Sequence, residues 1–318
     1  MANYLNLQGF DNVFSNTLNN ELQDNLVEFL DWGLLEKGNY YNVTLGELSP
    51  TNARYDILKL SPNPNYTSGV AWEGFRSNWV WQSGISYIPA PRVGTQVARP
   101  GISGVYVNST FYPSSTTGTY AHGVDYYNGR VIFDNPIPTG SIVQAEYSYK
   151  YINVVYANSL PWIREIQHKS LDLNNDVEFN TPNELRIQLP AIAVEISPRR
   201  TMRGYQLGGG QFVYTDVLFH CLAEDEFTRN KLLDIVSLQN DRAILTFNSN
   251  ILAQSGAFPL NHLGMTGSGA LRYPDLVNQY PRNHIMLKNV LVQPAVSINS
   301  NFYAGVVRLT VESVEMTI

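Results

Sequence analysis

The sequence predicts a β-rich α+β fold: an antiparallel sheet with an N-terminal helix and one long packed helix, plus an inserted Gly/Pro-rich β-sandwich or barrel module. Three observations predict it. Two segments, one near the start and one past the middle, carry apolar residues at helical spacing. Much of the remainder alternates apolar and polar residues with period two, the mark of strands with one packed and one wet face. Between residues 85 and 152, Pro and Gly recur at short intervals among strand-like runs with few charges, as in small sandwiches and barrels.

In "SNTLNNELQDNLVEFLDWGLLEKG", Leu18, Leu22, Leu26, Phe29, Leu30 and Leu34 mark one helical face over residues 15–37. Ser15 or Asn16 can cap its start, Gly33 is a place where it can break, and Gly38 stops it. "YYNVTLGEL" reads as a strand. Residues 49–84 read as loop with embedded strands, including Trp79-Val80-Trp81 with its large aromatic face, and Trp72 lies nearby. The module at 85–152 contains "GISGVYVNSTFY", "HGVDYY", "GRVIFD" and "SIVQAEYSYKYI". Asn128-Gly129 joins two of these runs, and both central residues of a type I′ hairpin turn need positive φ. In the last run Gln144, Glu146 and Ser148 alternate as a wet face with Val143, Ala145, Tyr147 and Tyr149. The main domain is therefore expected over 1–84 and 153–318, with 85–152 inserted.

After the module, "LRIQLPAIAVEISP" is one long strand or a strand pair, and "RRTMRGYQLGGGQ" is a turn-rich connection. "FVYTDVLFHCLA" is a strand. "EDEFTRNKLLDIVSLQ" is an amphipathic helix with Phe227, Leu232, Ile235, Val236 and Gln239 along one side and acidic residues at its start, where the helix dipole favours them. "DRAILTFNSN" is a strand, 251–280 a long loop, and "HIMLKNVLVQPAV" and "FYAGVVRLTVESVEMTI" close the chain as strands.

Composition narrows the function. Only 15% of the 318 residues are charged, well below the usual quarter, and Asn, Ser, Thr, Gln and 20 Tyr take their place. Neutral polar and aromatic surface suits large contact areas, although Tyr and Thr also favour strands. The net charge of −6, with Lys and Arg scattered singly, lacks the basic stripe that nucleic acid needs. A single cysteine, Cys221, excludes disulfides within the chain and a Cys-based zinc site. The first residues lack a basic and apolar leader, and no apolar run approaches a membrane span, so a soluble protein made in a cytosol is expected.

Catalytic patterns are missing. "LGGGQ" leads into a strand instead of a helix and no Lys follows, so it makes no phosphate cradle. His122, His168, His220, His262 and His284 have no metal-ligand spacing, and Glu224-Asp225-Glu226 reads as a helix start. Asp125, Asp134 and Glu146 are the only grouped carboxylates for a glycosidase-like pair, and their turn and strand settings favour solvated surface. No catalytic, cofactor-binding or metal-binding residue is assigned.

Three features together carry a resemblance: the opening helix, the β-module with "GRVIFDNPIPTGSIVQAEYSYKYI", and the strand–helix–strand unit "FVYTDVLFHCLAEDEFTRNKLLDIVSLQ". The chain resembles the neck and tail-completion proteins of tailed bacteriophages, such as tail terminators and head–tail connectors. The resemblance implies a non-enzymatic virion component, a homo-oligomeric ring, most simply a hexamer, at the neck or the tail end. It would contact other neck or tail proteins, let DNA pass through its lumen without specific binding, and touch no membrane. Under that reading the strand edge at 306–315 and the loop at 254–269 are completed by neighbouring subunits. Subunit contacts are expected at Tyr126, Tyr127, Tyr147, Tyr149, Trp72, Trp79, Trp81, Phe258, Leu260, Val307, Leu309 and Val311. The rival reading is a virion-associated carbohydrate-binding module that stacks sugars on exposed Trp and Tyr.

Overall fold

Leu26, Phe29, Leu30 and Leu34 recur every three to four residues, so a helix there buries one stripe and leaves Asn20 and Lys37 to solvent. In the computed structural model of the chain this helix, α1, spans Leu18–Leu35. It runs through Gly33 unbroken and ends where Gly38 takes a φ of 81°, a left-handed conformation that favours glycine. The structure describes residues 18–46, 48, 54–86, 101–114, 117–157, 167–169, 186–206, 209–255, 265–266, 271–294 and 302–315.

Among the described residues nine short strands follow: β1 (Tyr40–Val43), β2 (Lys59–Leu60), β3 (Ala71–Glu73), β4 (Gly104–Val107), β5 (Thr110–Pro113), β6 (His122–Asp125), β7 (Arg130–Phe133), β8 (Val143–Ala145) and β9 (Tyr147–Lys150). They form three small sheets, in the orders β2-β3-β7-β6, β5-β4-β8 and β1-β9. Next come β10 (Asn153–Tyr156), a parallel pair of β11 (Gln167–Lys169) and β12 (Arg186–Gln188), and a long hairpin of β13 (Ala191–Gln206) and β14 (Gly209–Ala223). Helix α2 (Glu226–Ser237), strand β15 (Arg242–Phe247), helices α3 (Ser249–Ser255) and α4 (Tyr273–Gln279), and strands β16 (Pro281–Pro294) and β17 (Tyr303–Glu315) complete the fold. The protein is thus a β-rich α+β fold.

The dominant sheet has the order β10-β13-β14-β17-β16-β15, antiparallel except for β10 beside β13. Its period-two alternation puts Ile192, Val194, Val217, Phe219, Val307, Leu309 and Val311 on one face, where α1 and α2 cover them. Helix α2 is capped by Asp225, whose carboxylate accepts the Thr228 N–H at 2.7 Å. Leu232, Leu233 and Val236 seat it on the sheet, whereas Phe227 is 79% exposed, contrary to its expected place on the packed side. Phe227 stands in the first turn, before the Leu232–Val236 patch meets the strands.

A second core joins Val43, Leu58, Trp72 and Trp79 to Val105, Val131, Phe133, Val143 and Tyr147. Strands before residue 85 therefore share the core of the β-module, which draws on the chain from β1 onward and not from 85 alone. Three further readings change. "RRTMRGYQ" is strand and not connection: β13 runs through it to Gln206, and β14 resumes at Gly209. The long loop expected at 251–280 holds the end of α3 and all of α4. β17 lies between β14 and β16 along its length, so residues 306–315 are not an edge.

The hairpin at Asn128-Gly129 also departs from the two-residue turn. Asp125 pairs with Arg130, which leaves four residues in the turn, and Gly129 has a φ of 65°. The Asp125 carboxylate takes over the turn's bonding. It accepts from the Asn128 N–H (3.0 Å), from Asn128 Nδ2 (2.8 Å) and from Arg130 Nε (2.7 Å). A Cβ on Gly129 would lie 2.5 Å from the Arg76 carbonyl oxygen and 2.8 Å from Trp79 Nε1. Gly129→Ala is therefore expected to cost about 2–4 kcal/mol through strain and overpacking, measured by urea unfolding. A cost under about 0.5 kcal/mol would show that the turn does not anchor the module.

Candidate interaction surface

The aromatic residues expected at subunit contacts divide by burial. Trp72 and Trp79 lie in the second core, with their indole N–H groups bonded to the Gly69 carbonyl (3.1 Å) and the Arg76 carbonyl (2.7 Å). Tyr147 stacks on Trp79 at 4.3 Å between ring centroids and is equally buried. These three rings are packing, not contact surface. Tyr126, Tyr149 and Trp81 are half-buried, and Tyr127 is 59% exposed. Val307, Leu309 and Val311 are fully buried under the helices and belong to the core, not to a subunit contact. Phe258 and Leu260, with most of the 254–269 loop, fall outside the described residues.

Trp81 and Tyr126 line a cleft of about 380 Å³ together with Asn42, Ser103, Glu146 and Ser148. A carbohydrate platform built on three tryptophans is not formed, because two of them face inward. The grouped carboxylates are likewise separated by role. Asp125 is buried against Arg130, which also lies 3.7 Å from Glu73, while Asp134 and Glu146 are exposed. Among the described residues, no three His, Cys, Asp or Glu side chains come together to hold a metal ion. Burial pushes the Cys221 thiol up to about 12, so it stays a protonated small hydrophobe.

The surface that the sequence did not reveal is the second face of the large sheet. β13, β14, β16 and β17 are 16, 15, 14 and 13 residues long, against roughly 5–6 for an ordinary strand. Their register sets Thr201 and Arg203 beside Tyr214 and Phe212, and Asp216 and Leu218 beside Thr310 and Arg308. Arg308 pairs with Asp216 (2.7 Å), Thr310 donates to the same carboxylate (3.0 Å), and Lys288 pairs with Glu312 (2.8 Å). At one end the buried His220 and Glu195 meet at 2.6 Å. The helices of the described core lie on the opposite face. Adjacent strands thus carry compensating charges on this face, interleaved with Phe212, Tyr214, Leu218 and Val306. Each pair is cross-strand and long-range, which explains why residues that look scattered in sequence become a ladder here.

A second polar cluster ties the two cores together. Asp24, Glu28 and Asp31 recur along α1, and Lys150 Nζ reaches Asp31 at 2.6 Å, with Gln82 donating to the same carboxylate at 2.9 Å. Desolvation, followed by repulsion from the Asp31 and Asp24 carboxylates, pushes Glu28 up to about 8, against partial relief from Lys150. Desolvation also raises Asp24 to about 6, with hydrogen bonds from Ser249 and Tyr156 opposing it. No described helix is long and apolar enough to cross a membrane. No protein-family model matches the chain, and no curated protein shows significant similarity to it.

The Glu28 environment has a pH signature. The folded chain keeps Glu28 protonated up to about pH 8, whereas an unfolded chain ionises it near 4.5. Its contribution to stability is complete below about 4.5 and is lost as pH rises towards 8. Glu28→Gln is expected to leave stability near pH 4.5 almost unchanged and to raise it by about 4 kcal/mol at pH 8, read by denaturant unfolding at both pH values. Equal effects at the two would remove Glu28 as the titrating group.

Proposed function

We propose that the protein is a non-enzymatic structural component of a tailed-bacteriophage virion, a homo-oligomeric ring at the neck or the tail end. The observation that carries this reading is the open, ion-paired face of the four long strands. Antiparallel sheets commonly leave one face to water, but strands of 13 to 16 residues are far longer than such sheets usually use. A polar face of this length suits a wall that neighbouring copies extend around a lumen. Arg308 and Lys288 are balanced there by Asp216 and Glu312, and Glu195 meets His220. A charge-balanced wall fits passage of DNA without adhesion, since retention on phosphates needs an excess of cations.

The low charge content and the resemblance to phage neck and tail-completion proteins support the same reading. Phe227 on α2 and Leu238 at its C-cap, each 79% exposed, are apolar groups placed to meet another subunit. The carbohydrate-binding alternative retains the half-buried Trp81 and Tyr126 at the cleft, with the buried Tyr147 behind them. Native mass measurement across a concentration range, with negative-stain images of any large species, tests the ring. A closed species of six or twelve copies is expected. A monomer at every concentration would count against ring formation by this chain alone and shift weight to the cleft.

A further inference from the structure

The two ends of the large sheet are treated differently. At one end, β15 has α4 beside it and gives its main chain to side chains: Asn25 bonds both the N–H (2.7 Å) and the carbonyl (3.0 Å) of Phe247, and Tyr273 Oη donates to the Leu245 carbonyl (2.5 Å). At the other end β10 pairs with β13 only as far as Val194. Among the described residues, no strand lies against the outer side of β13 beyond that point. The ladder to β14 is regular from Arg200 to Gln206, after a bulge between Ile196 and Arg200, and residues 201–205 are all exposed. A regular, exposed strand edge is a template for another strand.

The chemistry of this edge selects its occupant. Residues 196–215 hold Arg199, Arg200 and Arg203 and no carboxylate, in a chain with a net charge of −6. Arg200 turns back to Asn19 and Thr215, while Arg199 is exposed and Arg203 lies over the Tyr214 ring at 5.8 Å. Met202, 47% exposed, points to the opposite face from Arg203. We propose that the outer edge of β13 at residues 199–206 docks an extended acidic polypeptide segment as an added strand. Carboxylates on one face of that strand would meet Arg203, and apolar residues on the other would cover Met202. Two copies pairing through the same edge would bring arginines together, which disfavours self-association. A nucleic acid duplex would find Asp216 and Glu312 on the same face just beyond Arg203 and Tyr214.

The test uses the full chain and a fluorescein-labelled octapeptide of alternating Glu and Val, read by anisotropy. Saturable binding is expected, at least about tenfold tighter than to the Lys–Val counterpart and at least about tenfold weaker for the double variant Arg199→Glu, Arg203→Glu. Successive strand residues direct their N–H groups to opposite sides, so one of Met202→Pro and Arg203→Pro blocks only the outer edge. That variant is expected to lose the peptide while melting like the parent. No saturable binding, equal binding of the Lys peptide, or equally effective competition by a 20-base-pair DNA duplex would overturn the proposal. Native mass is measured on the same samples. A change of oligomeric state in the edge variants would reassign the edge to a contact between copies, whereas a monomeric parent that still binds the peptide would leave this edge standing without the ring.

Discussion

Helix α1 is the constraint on which the rest of the structure depends. Its apolar stripe closes half of the large core, and its polar side chains fasten everything around it. Gln23 donates to the Ala157 and Val194 carbonyls, Asn25 holds Phe247, Glu21 pairs with Arg282, and Asp31 takes Lys150 and Gln82 from the β-module. Burying Lys150 and Asp31 away from water is costly unless both are paired, so removing either partner would strand a charge. The pair thus fixes the docking of the two cores more sharply than apolar contact could. Further cross-links, from Arg76 to the Leu189 carbonyl and from Asn78 to Asn153, lie along the same seam.

Much of the fold was legible because local periodicity decides it. The two long helices, the strands on either side of Asn128-Gly129 and the final strand follow from spacing alone. The failures have physical causes. "RRTMRGYQLGGGQ" reads as a turn because arginines and glycines dominate it, yet Thr201, Arg203 and Tyr205 alternate with Met202, Gly204 and Gln206. That period-two signal carries no apolar contrast, since both faces are exposed. The alternation at 143–149 holds through Tyr147 and then lapses, with Ser148 buried, because β8 and β9 belong to different sheets.

The interaction surface was much less legible. Tyr and Trp serve cores and contacts alike, and composition could not say that Trp72, Trp79 and Tyr147 would turn inward. The charges of this face pair across strands, Asp216 with Arg308 over more than ninety residues and Lys288 with Glu312 over 24. Asp31 and Lys150 are separated by more than a hundred residues, so neither announces the other. Long-range topology, not residue type, makes these groups into sites.

The unequal sheet ends have a consequence for polymerisation. Runaway β-assembly requires every added unit to present a fresh edge like the one it consumed. Here Asn25 and Tyr273 occupy main-chain groups of Phe247 and Leu245, so among the described residues β15 does not offer an edge like the one a strand received at β13 would fill. The sheet can be completed once and then stops. A protein with four unusually long strands thereby keeps a one-step, self-limiting chemistry where a fibril nucleus would otherwise be expected.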